Sequence, residues 1–294
     1  MVFDIKYYMV TIAAIFISLG IGIFIGFNMN GGEIYLNQQQ QLIDSLENRF
    51  GEFRLEREDL QKNIEELQLE KEKHEDFIER AYYEIIDSKL ANFRIAIIQT
   101  SEDYYYDDLK DALQEAGGIV PVQLIYTNKL LHLTEEELED INYSFGVTLT
   151  EEEIFKQTNH DVLALLQGGE ASNLLNYLIT NEFIRLTEYD LYDHEVDQIV
   201  IAGGSQKENS GILKAVDLDL IDKIQNENMK AVGVERLDIS HSYIPSYKNS
   251  GISTVDNVDT LMGRMALILA MAGREGSFGE REHAEQLVPI GGYE

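Results

Sequence analysis

Three groups of side chains in this chain have types and spacings that could do chemistry. Gly203-Gly204-Ser205 follows the β-branched run Val196–Ala202, at the carboxyl end of a strand, where open α/β sheets bind ligands. It is a candidate ligand cleft. A phosphate loop would read Gly-x-Gly-x-x-Gly or Gly-x-x-x-x-Gly-Lys-Ser and lead straight into a helix. Lys207 and Gly211 are the nearest imitations here, and a tight turn accounts for the glycines more simply. Asp256-Asn257-Val258-Asp259-Thr260 could hold a cation, but Asp or Asn just before an apolar-periodic segment is the pattern of a helix N-cap. Met262, Met265 and Met271 follow. Thioethers suit Cu(I), yet Met262, Met265, Leu269 and Ala272 also share one helical stripe, the pattern of core packing.

The remaining chemistry is sparse. The six histidines, at 74, 132, 160, 194, 241 and 283, form no His-x-His or His-x-x-x-His pair, and there is no cysteine. No thiol ligand or disulfide is available, and any metal site would have to be assembled in space, its ligands undefined by the sequence. No Gly-x-Ser-x-Gly nucleophile elbow occurs. The expectation is a protein that is not an enzyme and has no evident cofactor. A net charge of −30 repels nucleic acid and anionic surfaces, and reads as a solvating coat.

The elements that would position these groups begin with an apolar run. Tyr8 to Phe27 carries no charge over twenty residues, which as a helix span roughly 30 Å, the thickness of a bilayer's hydrocarbon core. The run exits into Asn28-Met29-Asn30-Gly31-Gly32 without an Ala-x-Ala site, so an uncleaved anchor over 1–32 is expected rather than a signal peptide. Ala14, Ser18, Gly22 and Gly26 recur every four residues and would form a close-packing transmembrane face. Lys6 precedes the run and the next Lys or Arg is Arg49. The positive-inside rule then puts the N-terminus in the cytoplasm and the bulk of the chain outside it.

Residues 33–91 repeat in alternating steps of three and four: Leu36, Gln39, Ile43, Leu46, Phe50, Phe53, Arg57, Leu60, Ile64, Leu67, Lys71, His74, Ile78, Ala81 and Ile85. This is the heptad pattern of a coiled coil. The apolar members would form its core, most simply in a parallel homodimer, because an anchor orients every copy alike. Residues 92–272 change period. Strands are expected at Phe93–Gln99, Ile119–Tyr126, Val196–Ala202 and Ala231–Val234. Helices are expected near 104–116, 150–166, 172–183, 216–228 and 260–272. The alternation predicts a mostly parallel, three-layer α/β domain of Rossmann or flavodoxin type. The tail, 273–294, reads as irregular.

The whole order resembles the MctB-like copper transporter family of bacterial envelope proteins. The resemblance is carried by Asp4-Ile5-Lys6-Tyr7-Tyr8, Ala13-Ala14-Ile15-Phe16, Leu19-Gly20-Ile21-Gly22 and Gly26, then by Arg94–Gln99, Ser253 to Thr260, Gly276-Ser277-Phe278-Gly279 and Leu287-Val288-Pro289. It implies a role in copper transport or homeostasis, with copper as the implied metal. Other relatives of this shape resemble partners of a membrane protein that governs cell-wall hydrolysis during division. That implies an alternative, a coiled-coil scaffold recruiting a second envelope protein.

Overall fold

The computed structural model describes residues 5–190, 195–208 and 210–290. Asp4, His194 and the end of the tail, 291–294, lie outside the described residues. The chain divides into two compact units, Met1–His74 and Glu75–Glu294.

The first unit is the greater part of one long helix, α1 (Ile5–Ile86). Its segment Ile5–Met29 has a mean hydropathy of 2.5, with none of it buried. By length and composition it can cross a membrane. The hydroxyls inside it are satisfied locally: Thr11 donates to the Tyr7 carbonyl at 2.6 Å and Ser18 to that of Ile15 at 3.0 Å, which lowers the cost of placing them in hydrocarbon. Leu36, Ile43, Leu46, Phe50, Phe53, Leu60, Ile64 and Leu67 are all exposed on this helix.

The second unit opens with the last turns of α1. Here the heptad register stops describing what is buried. Ile78, Ala81 and Ile85 are only half-buried, whereas Tyr82, Ile86 and the following Leu90 are fully buried. A helix that ends against a sheet presents the face the sheet needs, and that face lies one position along from the seam.

The sheet has seven strands in the order β3-β2-β1-β4-β5-β6-β7. They are β1 (Arg94–Gln99), β2 (Ile119–Tyr126), β3 (Ile184–Tyr189), β4 (Gln198–Ala202), β5 (Lys230–Val234), β6 (Ser253–Val255) and β7 (Ser277–Phe278). All neighbours are parallel except β3, which runs antiparallel to β2 at the edge. Alternation along the strands feeds two apolar layers. Ala96, Ile98, Leu124 and Ile201 face one layer, under α5 (Glu151–Leu166), α6 (Asn173–Thr180), α8 (Asp219–Asn226) and α9 (Ile244–Asn249). Ile95, Ile97, Val200 and Val232 face the other, under the end of α1, α2 (Asp108–Glu115) and α10 (Leu261–Met271). Burial on both faces is why these strands read as continuous apolar runs.

The elements start where their caps place them. Thr134 opens α4 (Glu135–Phe145) and Thr150 opens α5, each with a reciprocal capping box to a Glu three residues on. The helix expected near 216–228 is longer and irregular: α7 (Ser210–Ile212) passes through a π-turn (Leu213–Leu218) into α8. The short helix α3 (Asn128–Leu131), α4, α9, β3, β6 and β7 were not anticipated. The supposedly irregular tail contributes β7, and buries Phe278 and Val288.

Candidate functional site

β2 and β3 lie on one side of β1, and β5 to β7 lie beyond β4. The connections therefore reverse direction between β1 and β4, and ligands of open α/β sheets bind at such a point, outside the carboxyl ends of the strands. Several buried polar residues of this domain, Gln99, Thr100, Ser205, Asp217 and Glu235, gather there. Gln99 ends β1, and its side-chain amide donates to the carbonyls of Ser101 (2.6 Å) and Tyr104 (3.0 Å), shaping the loop above the strand. Thr100 donates from its hydroxyl to Asp217 Oδ1 at 2.6 Å, and Tyr247 donates its phenol to the same oxygen.

Asp217 comes from the π-turn. The widened turn lets consecutive residues, Val216 and Asp217, both face inward. The Val216 carbonyl is taken by Asn159 Nδ2 at 2.9 Å, and Asn159 Oδ1 accepts the Tyr126 phenol at 2.9 Å. Asp217 Oδ2 is buried with no hydrogen-bond partner. Burial outweighs the two donors and pushes this carboxyl up to about 7.

Glu235 follows β5 and is also fully buried. It accepts from Ser242 Oγ at 2.6 Å and from the Tyr243 amide. Burial again dominates and raises it to about 7, against the opposing pull of these donors and of Arg281. The two acids thus hold both ends of one segment, Ser242–Tyr247, against the carboxyl ends of β4 and β5.

Gly203, Gly204 and Ser205 sit in the middle of this arrangement, and protein atoms fill the space above them. A Cβ on Gly203 would strike the Tyr247 phenol and lie 3.2 Å from Asp217 Oδ1. Gly204 has φ +94, and a Cβ there would meet Ile239 and lie 3.2 Å from Glu235 Oε1. Ser205 exchanges backbone hydrogen bonds with His241 (3.1 and 2.9 Å). The glycines admit the structure's own tyrosine and acids. Beside them is a cavity of about 110 Å³, lined by Tyr105, Tyr106, Asp108, Arg236 and Asp259 among others. A larger groove of about 390 Å³ lies elsewhere, with the ion pairs Lys230–Glu275 (3.4 Å) and Lys248–Glu285 (2.9 Å) on its walls.

Met265 and Met271 are buried in the apolar layer beneath α10, and Met262 packs against it. Among the described residues, no three His, Asp or Glu side chains gather as a metal-holding group.

A family model described as "Copper transport outer membrane protein, MctB" matches residues 2–289. The chain belongs to the MctB family. No curated protein matches it. Two of the segments that carried the MctB resemblance in sequence, Ser253 to Thr260 and Gly276 to Gly279, meet in space. Asp256, after β6, accepts at Oδ1 from the Glu280 amide (2.8 Å) and at Oδ2 from the Arg281 amide (3.1 Å), both just after β7. Gly279 lies so close to Asp256 that a Cβ would collide with its carboxylate. Asn257 Nδ2 donates to Glu280 Oε1 at 3.1 Å. The N-cap of α10 is Thr260, whose hydroxyl accepts from the Gly263 amide at 3.0 Å. Asp259 instead accepts from the Leu237 amide at 2.7 Å. The Val-Asp-Asn and Gly-Ser-Phe-Gly stretches of this MctB-family chain are therefore two halves of one loop lock.

Proposed function

We propose that this chain is a membrane-anchored envelope protein that acts in copper transport or homeostasis as an accessory component, with its α/β domain outside the cytoplasm. The observation that carries the reading is the MctB family match across residues 2–289. The anchor is supported by the apolar helix Ile5–Met29, and the orientation by Lys6 before it and the absence of Lys or Arg until Arg49. An accessory role is favoured by the sheet, whose two faces are covered by helices. A transmembrane barrel would instead alternate lipid-facing and lumen-facing residues.

Deleting the gene in its native host and measuring cell-associated copper and growth in copper tests the role. Altered copper content, restored by the full chain, is expected. Unchanged content and tolerance would reject the role. A C-terminal reporter active only in the cytoplasm tests the orientation and should be silent.

A further inference from the structure

The apolar stripe of α1 between Leu36 and Leu67 is exposed along its length, with Leu60 55% and Ile64 49% exposed. Two of the helix's ion pairs lie away from it. In the heptad that places Ile64 at a and Leu67 at d, Lys62–Glu66 and Asp76–Arg80 join f and c positions on the opposite side. Ile43 and Ile64 at a with Leu46 and Leu67 at d is the combination that favours two strands.

Because α1 is unbroken from Ile5 to Ile86, the phase carries back into the membrane segment. Gly22 lies two heptads before Leu36, at a, and Ser18 falls at d. A straight helix drifts about 20° per heptad from this repeat, so over the seven heptads from Ser18 to Leu67 the left-handed supercoil of a coiled-coil pair is what keeps the small-residue face and the apolar stripe on one side. Where a Cβ of Gly22 or Gly26 would sit, there is open space.

One position chooses the orientation. Arg57 occupies a, preceded by Glu56 at g. In a parallel, in-register pair each a side chain enters a hole on the facing helix that includes the preceding g residue. Arg57 would then meet Glu56 of the second copy, in both directions. The same Glu-then-cation order recurs at Glu70 and Lys71.

We propose that this face docks a second copy of the same chain, parallel and in register, as one seam running from Ser18 in the membrane segment to Leu67. This inference is independent of the copper role.

The chain has no cysteine of its own, so single cysteines report directly. A disulfide needs Cα atoms within about 7 Å, which same-residue pairs meet only at a parallel seam. In the full chain, oxidised in its membrane, Leu60→Cys, Ile64→Cys, Leu67→Cys and Ser18→Cys should cross-link into dimers. Lys62→Cys, Glu66→Cys and Ile17→Cys, off the seam, should not. Arg57→Glu should abolish the Leu60→Cys link, and adding Glu56→Arg should restore it. Equal cross-linking at seam and outer positions, or none at 60, 64 and 67, would overturn the proposal. Links at 60–67 without one at 18 would overturn the continuous seam.

Discussion

At the residue scale, two buried acids set the behaviour of the domain. Asp217 and Glu235 are each held at about 7, against about 4 for such groups in an unfolded chain. Between those values the folded state keeps protons that the unfolded state has lost. Stability is therefore greatest at the acid end of this window and falls as pH rises from about 4 through about 7. Melting temperatures of the protein should decline over that range, and Asp217→Asn and Glu235→Gln should each flatten the decline. An unchanged slope in both variants would mean that neither acid is responsible. Glycine geometry gives a second outcome. At Gly233 a Cβ would press into the Tyr247 ring, so Gly233→Ala is expected to cost about 1–3 kcal/mol by overpacking, read from denaturant unfolding. The sequence revealed Gly203 and Gly204 as special, but the reason lay in Tyr247 and Ile239, distant partners that no local spacing identifies.

At the element scale, α1 serves two environments with two faces. Its last turns bury Tyr82 and Ile86 against the sheet, so Ile86→Ala should destabilise the α/β domain by about 2–5 kcal/mol. Ile64→Ala, on the exposed stripe, should leave unfolding of that domain unchanged. Comparing the two by hydrogen exchange in β1 and β4 checks the distinction. Equal loss of protection would show that the stripe and the domain unfold as one. The heptad pattern was readable because side chains three and four apart share a helix face whatever they pack against. Its end was not readable, because Tyr82 and Ile86 continue the helical period in a shifted phase that only the sheet selects.

At the scale of the whole molecule, a family described by copper transport is represented here by a chain without cysteine, and with Met265 and Met271 buried in its apolar layer. Under the proposed role copper is cargo, and the methionines of α10 are expected to stay with packing. Under reducing conditions, competition with a Cu(I) chelator should reveal no stoichiometric site tighter than micromolar. A tight site lost in Met262→Leu with Met265→Leu would reverse this reading. Leucine conserves most of the methionine volume, so the substitutions should cost under about 1.5 kcal/mol each and leave the domain folded.

The sequence by itself determined whatever depends on local period and composition. An uncharged run fixes a helix long enough to cross a bilayer, a repeat of three and four fixes the long helix beyond it, and β-branched runs fix β1, β2, β4 and β5. Each signal is written in neighbouring residues and survives any packing. Tertiary structure decided the rest. β6 and β7 are too short to show a period, and exist because Asp256 and the glycines at 276 and 279 lock their loops together. β3 runs antiparallel at an edge, where the exposed Arg185 and the half-buried Glu188 hide a strand among polar side chains. The acid network needs Thr100, Asp217, Glu235 and Tyr247 brought together from four separate segments. Burial, which raises both carboxyls, arises only once the sheet has drawn those segments to one edge.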